Sequence, residues 1–424
     1  MDLINKKVLV LGGGISGCST AWILKRLGAD VSIVEKEKKC GGIGRTHYLD
    51  GNKYEIGPHI LHAKQDHTIN FYKMYGARTI EYYAKMCSDD TLENLVDFPY
   101  SVDSIFQLPR ELGREVVKEL FESRSTEIDQ SNLETYLKSV VGETLYNKFN
   151  AGYSKKFWGK DPREVPANGA ASWINLRTSD KRLFSEWQAY PKGDFNSFMD
   201  WVREGIPIIN AEVLGLEKGK SHIESITTSE GDLKADLYIS TLPLKSCFSE
   251  MPEDLSYVGN VLVAVKLDEG PVFPEGVGGI YFPNDKYQFK RVCEYPSMTD
   301  ESYPKLSNGT LLGFEYNVFP WKEELPESFY VNEVLQACLD LTGQKPVSHR
   351  YHYYRDVYPI KDDKQMEVFS KIQTEVSSYN NFFLTGRFGN FRYVNMNDCI
   401  EMSFDLIGDL TGAPLEETLA KVNL

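Results

Sequence analysis

The chain has 424 residues, 42% hydrophobic and 25% charged, an ordinary globular composition long enough for two or three lobes around a large core. Its formal charge of −14, from 47 Lys and Arg against 61 Asp and Glu, excludes nucleic acid and an anionic membrane as main partners, and requires a local Arg cluster to hold any anionic substrate. Seven cysteines without a C-x-x-C pair argue against zinc or a disulfide framework and fit a cytoplasmic location; no stretch approaches the ~20 apolar residues of a membrane span, and the first residues carry no secretory leader pattern.

In chain order, the apolar run Val8 to Leu11 stops at Gly12, Gly13 and Gly14, with Gly17 three residues on. A helical pattern over Cys18 to Leu27 ends at Gly28, and Val31 to Val34 gives a second strand that ends in Glu35. This is a G-x-G-x-x-G turn between strand and helix with an acid about 20 residues on, the dinucleotide fingerprint. Gly12 permits the tight turn, Gly14 lets the backbone approach a pyrophosphate, Gly17 seats the helix on the strand, and Glu35 accepts from a ribose hydroxyl. Tyr54 to His62 reads as a strand entering a turn with two histidines. Residues 68–190 read as mainly helical, with helices at His67 to Met74, Leu108 to Ser123, Leu133 to Val141 and Glu143 to Phe149. The apolar runs at Ile208-Ile209, Val213-Leu214, Ile223 to Ile226 and Ala235 to Thr241 are expected to be strands of the nucleotide-binding domain, residues 257–355 an antiparallel sheet, Phe382 to Thr385 a last strand, and Asn397 to Leu410 a helix.

A second glycine-rich turn, Gly41-Gly42-Ile43-Gly44-Arg45-Thr46, resembles the turn that lines the flavin pyrophosphate in FAD-dependent amine oxidases and their relatives, which makes FAD the expected cofactor and Arg45 a phosphate or flavin contact. From Ala151 to Ala167 the chain resembles a wider pattern, the G-Y-[ST]-x-K-x-W-G-x-x-x-x-x-[LV]-P-A segment of UDP-galactopyranose mutases. Four further patches are similar to that family in the same order: Gly57-Pro58-His59-Ile60-Leu61-His62, Val141 to Tyr146, Tyr358-Pro359-Ile360 with Met366-Glu367, and Gly386-Arg387 through Tyr393 to Met396. The resemblance implies an α/β fold: a discontinuous FAD-binding Rossmann domain (1–66, 193–245 and 369–424) with a mainly helical insertion (67–192) and an antiparallel β-sheet substrate domain (246–368).

It also implies a redox-neutral isomerase that interconverts UDP-galactopyranose and UDP-galactofuranose with reduced FAD, NAD(P)H or another donor being the reductant. Flavin N5 supplies the nucleophile at the anomeric carbon, UDP leaves, and the ring recloses through O4. The protein's task is then to hold a diphosphate beside the flavin. Carried over residue by residue, the catalytic set is Arg177, Arg291, Tyr358, Tyr393 and His59, the arginines and tyrosines gripping the diphosphate. Substrate binding adds Tyr153, Trp158 and Trp187 to Arg177, Arg291, Tyr358 and Tyr393. The cofactor set is Gly12, Gly14, Ile15, Ser16, Gly17, Glu35, Lys36, Gly42, Arg45, Thr46, His59, Ile60, Val213, Gly386, Arg387, Asn395 and Met396, with no metal ligand. Three departures bear on the sugar: Leu183 and Trp187 stand near the places of two tyrosines, and Asn395 replaces an Asp. The competing readings are an amine-oxidase-like oxidoreductase, favoured by the Gly41 to Thr46 turn, and a non-catalytic flavoprotein that binds a nucleotide sugar. A homodimer is expected, because family members are often dimers.

Overall fold

In a computed structural model of the chain, which describes residues 1–122, 128–167, 182–248, 255–298 and 309–424, the short apolar runs assemble into a parallel five-stranded sheet. Its order is Ile208–Asn210, Asp30–Glu35, Lys7–Leu11, Leu237–Ser240 and Phe382–Leu384. All four pairings are parallel, with Val8 opposite Val31 on one side and Leu237 on the other. The strand order reverses at Lys7–Leu11, and an open sheet of this kind leaves its ligand crevice at the carboxyl ends of the strands beside that reversal.

The helix Ile15–Arg26 packs on this sheet and is buried from Ser16 through Leu24. A helix buried on this scale needs a second cover, and Met396–Thr411 supplies it. The two helices are joined by buried hydroxyls, Ser19 Oγ and Thr20 Oγ1 each lying 2.9 Å from Ser403 Oγ. Segments almost four hundred residues apart thus build one wall of the crevice.

A second, seven-stranded sheet runs Ser348–Pro359, Tyr257–Leu267, Thr310–Val318, Arg291–Glu294, Val277–Tyr281, Tyr83–Cys87 and Leu95–Phe98. It is antiparallel except where Val277–Tyr281 meets Tyr83–Cys87. The last two strands fall in the stretch expected to be mainly helical. Both are largely buried and pair with each other, so the extra sheet edge that covers them outweighs the helical character of their neighbourhood.

Two other expectations gain detail. Of the runs assigned to the nucleotide-binding domain, Val213–Lys218 and Ile223–Thr228 leave the parallel sheet and form a separate antiparallel sheet with Gly231–Leu233. Both carry exposed positions, Leu214 and Glu217 in one and Glu224 in the other, whereas Leu237–Ser240 is buried at every position, and a strand inside a covered parallel sheet must bury both faces. The expected helix Glu143 to Phe149 is one α-turn, Glu143–Leu145, followed by a π-helical turn Tyr146–Asn150 that leads into the α-helix Ala151–Trp158.

Candidate functional site

The crevice at the sheet reversal is a cavity of ≈ 700 Å³. Its floor is the first glycine turn. Gly12 has φ +99°, and a Cβ there would lie 2.6 Å from Thr241 Oγ1. A Cβ on Gly17 would lie 1.9 Å from the Gly12 carbonyl oxygen, so this residue seats the helix rather than lining the cavity. A Cβ on Gly14 would meet nothing within 4 Å, since that face opens into the cavity, where a phosphate can reach the backbone. Glu35 is held in place by the N–H groups of Gly13 and Glu37, at 2.6 and 2.9 Å from its two oxygens.

The second glycine turn lies across the first. Gly41 donates its N–H to the Gly13 carbonyl at 2.7 Å, and Gly42 takes φ +55° with its missing Cβ 3.5 Å from Gly14 Cα. Arg45 lines the cavity; its Nε donates to the Gly42 carbonyl at 3.1 Å and its Nη1 lies 3.7 Å from Glu37. Of the expected cofactor set, Ile15, Ser16, Lys36, Ile60, Val213, Asn395 and Met396 also line the cavity.

Besides Gly17, two members do not line it. Thr46 is buried, donating to Glu55 and accepting from the Phe195 N–H, so its hydroxyl is used in packing the turn. Gly386, at φ +79°, lets the end of the last strand approach the first helix, where a Cβ would sit 2.3 Å from Ser16 Oγ.

The far end of the cavity carries His59 and Arg387. Burial, with Arg387 and Arg291 nearby, pushes His59 down to about 4, so its imidazole is neutral at pH 7. His59 Nδ1 is buried without a hydrogen-bond partner among the described residues. Arg387 donates from Nε and Nη2 to the Val394 carbonyl, at 2.9 and 2.6 Å, and lies 5.6 and 5.8 Å from the ring centres of Tyr358 and Tyr393. Those two rings are 5.2 Å apart and pack on Phe157. Burial raises the proton affinity of both phenols, so each remains a hydrogen-bond donor at neutral pH.

Arg291 joins this cluster from the seven-stranded sheet. Its Nε and Nη2 each lie 2.7 Å from one oxygen of Glu315, a two-point pair, and its Nη1 donates to the Tyr281 hydroxyl at 3.2 Å. Tyr281 meets Tyr153 edge to face at 5.3 Å. Gly57, at φ +94°, brings the histidine turn against this pair: a Cβ there would be 3.3 Å from both Arg291 Nη2 and Glu315 Oε1. Tyr153, Arg291, Tyr358, Tyr393, Arg387 and His59 are therefore brought together. Trp158 adjoins them through Phe157, at 4.9 Å. Trp187 does not: it stacks on Tyr72 at 5.8 Å, and its strand pairs with Leu61–Ala63. Arg177 lies outside the described residues.

The sequence reading missed Phe184, which lines the cavity and stacks on His62 with ring centres 4.5 Å apart and planes 9° apart. It also missed Glu315, which no motif marks.

The residues fit a flavin dinucleotide. The open face over Gly14, the positive-φ glycines of two turns, Arg45 and Arg387 at the cavity wall and the unpartnered His59 nitrogen suit a long ligand with an anionic middle and a hydrogen-bonding ring.

Comparison with known proteins agrees with this geometry. Residues 10–75 match the NAD(P)-binding Rossmann-like domain family and residues 148–336 match the UDP-galactopyranose mutase family. The dTDP-fucopyranose mutase of Escherichia coli is 24% identical over 407 residues, covering 94% of this chain and 97% of the relative. A probable UDP-galactopyranose mutase of Klebsiella pneumoniae is also 24% identical, over 405 residues, covering 93% and 91%. A crystal structure of reduced UDP-galactopyranose mutase superimposes with a TM-score of 0.80 at 19% identity, over 99% of this chain and 98% of that one. The family model over residues 148–336, the two mutase relatives and the structural neighbour all support an isomerase, a divergent mutase-like flavoenzyme.

Proposed function

We propose that the protein interconverts the pyranose and furanose forms of a nucleoside-diphosphate hexose, with UDP-galactopyranose as the default substrate, and that it works in the cytoplasm with FAD kept reduced by NAD(P)H or another donor. The observation that carries this reading is the cluster of Arg291, Tyr358 and Tyr393 beside Arg387 and His59 at the end of the dinucleotide cavity. Reduced FAD, when bound, supplies the nucleophile at N5. The chain's own groups then do the remaining work. Arg291 and Arg387 offer positive charge to a diphosphate leaving group, and the two tyrosines donate hydrogen bonds without adding charge. His59, being neutral, accepts or donates one hydrogen bond at the cavity wall without repelling a cationic centre at the sugar.

The test compares dithionite-reduced with oxidised FAD-loaded protein on UDP-galactose, resolved by anion-exchange chromatography. A new isomer of unchanged mass in the reduced sample only is expected. Peroxide formation with oxygen consumption, and no isomer, would instead support the oxidoreductase alternative.

A second substrate, a dTDP-6-deoxyhexose, is favoured by Leu183. This side chain is buried next to Phe184 in the chain, near the place where the family carries a tyrosine, and a 6-deoxy sugar presents a methyl where galactose presents a hydroxymethyl. The similarity to a dTDP-fucopyranose mutase over nearly the whole chain points the same way. Running UDP-galactose and a dTDP-6-deoxyhexose side by side decides between them by kcat/KM.

A further inference from the structure

The residue just before Arg291 is also basic, and it is buried more deeply. Lys290 is 1% exposed. Its Nζ donates to Asn317 Oδ1 and lies 3.8 Å from Glu315 Oε2, the oxygen that Arg291 Nη2 also holds. It stands 5.1 and 5.2 Å from the ring centres of Phe157 and Tyr358. Asn317 is fixed in turn by its Nδ2, which donates to the Phe157 carbonyl at 2.7 Å. Two cations therefore share one carboxylate behind the ring of a proposed diphosphate ligand. The other titratable groups facing Lys290 are Cys293 on the Arg291 strand and Tyr358 on the neighbouring sheet edge.

A buried lysine that shares its counter-ion is held charged only while the local balance of charge favours it. With Arg291 and Lys290 both protonated, Glu315 leaves one positive charge in excess, and a diphosphate is the partner that matches such an excess. We propose that Lys290 is a positioning residue that couples diphosphate binding to proton uptake, shedding its proton in the empty site and holding it when the anion lies against Arg291. Protonated Lys290 neutralises Glu315 and lets Arg291 turn its remaining N–H donors toward phosphate. Burial, opposed by Glu315 and helped by Arg291, pushes Lys290 down to about 7, which places the change within an accessible pH range. The inference rests on the nucleotide-sugar reading above.

The test is calorimetric titration of the oxidised, FAD-loaded protein with UDP-galactose and with dTDP-glucose, whose diphosphate diesters do not titrate near neutrality. It is run from pH 6.5 to 8.5 in two buffers of different ionisation heat. Wild type is expected to take up close to one proton at the upper end and to lose affinity by about tenfold per pH unit at most above pH 7. Lys290→Met should bind more weakly with a flat pH profile and no proton uptake. Lys290→Arg, always charged, should keep affinity and lose the pH dependence. Equal slopes and proton uptake in wild type and Lys290→Met overturn the coupling while leaving the nucleotide-sugar site intact. A flat wild-type profile does the same without any variant, so a Lys290→Met protein that fails to fold does not block the test. No binding of either nucleotide sugar by wild type overturns the function reading and the coupling with it.

Discussion

Glu315→Gln is the most informative single change in this protein. It keeps the shape of a side chain that is 1% exposed and removes only its charge. The carboxylate accepts Arg291 Nε and Nη2 at 2.7 Å each and lies 3.8 Å from Lys290 Nζ, so its loss leaves two buried cations without a counter-ion. Although burial works against its charge, Arg291 and Lys290 hold Glu315 below the usual carboxylate range, the mark of a carboxylate that its partners need. Breaking a buried pair by removing one partner costs about 3–5 kcal/mol, the lower end applying here because Lys290 can shed its proton. With a specific unfolding entropy of roughly 2.1 cal/mol/K per residue, a 424-residue chain converts that cost to a fall of about 3–6 °C in the melting temperature. The assay is a thermal melt of the FAD-loaded protein followed by circular dichroism, with and without UDP-galactose. The anion should restore part of the loss, because it supplies the missing negative charge. The double variant Arg291→Met, Glu315→Leu should melt near wild type and bind no nucleotide sugar, since replacing both partners by apolar groups is close to neutral. A Glu315→Gln melt within 1 °C of wild type would refute the claim that this carboxylate sets the charge of the site.

Other consequences are open to measurement. Glu55 is fully buried and raised to about 7, by burial and by Asp194, against the hydrogen bonds from Tyr190 and Thr46. An acid whose folded proton affinity exceeds its unfolded one loses stability as pH rises from about 4.5 through 7; the stability of wild type relative to Glu55→Gln should therefore fall by about 3 kcal/mol over that window and level off above it, as read by urea denaturation. Gly17→Ala places a methyl 1.9 Å from the Gly12 carbonyl oxygen, and the purified variant should lack flavin absorbance. Leu183→Tyr, at a position 5% exposed, should cost about 1–3 kcal/mol in stability through overpacking and shift kcat/KM toward the hydroxymethyl sugar; an unchanged ratio of the two substrates would separate Leu183 from sugar selection.

The parts of the site that were legible in the sequence are those whose geometry is local. Gly12, Gly14, Gly17 and Glu35 announce themselves, because a strand, a turn needing positive φ and a helix start must follow one another within a few residues. Tyr358, Tyr393 and Arg291 were legible only through resemblance: nothing in the residues around a tyrosine distinguishes a core ring from a ligand. Glu315 and Lys290 are opaque for a related reason, since their meaning lies in a pairing across strands that no spacing records. Trp187 shows the converse, a position carried over only to an approximate place, whose side chain stacks on Tyr72. The runs Val213–Lys218 and Ile223–Thr228 were legible as strands but not as to which sheet they join, because partner choice depended on burial of one face or two.

The walls of the cavity are drawn from Gly12 at one extreme and Cys399 at the other, with Gly386 pressed against Ser16 and Ser403 bonded to Ser19 and Thr20. A nascent chain leaving the ribosome therefore presents its dinucleotide turn long before it can close a cofactor site. The glycine turn stays without its partner wall until residues beyond 380 have been made, so cofactor capture is tied to the release of that segment, and a ribosome-stalled chain ending at residue 380 should retain no flavin.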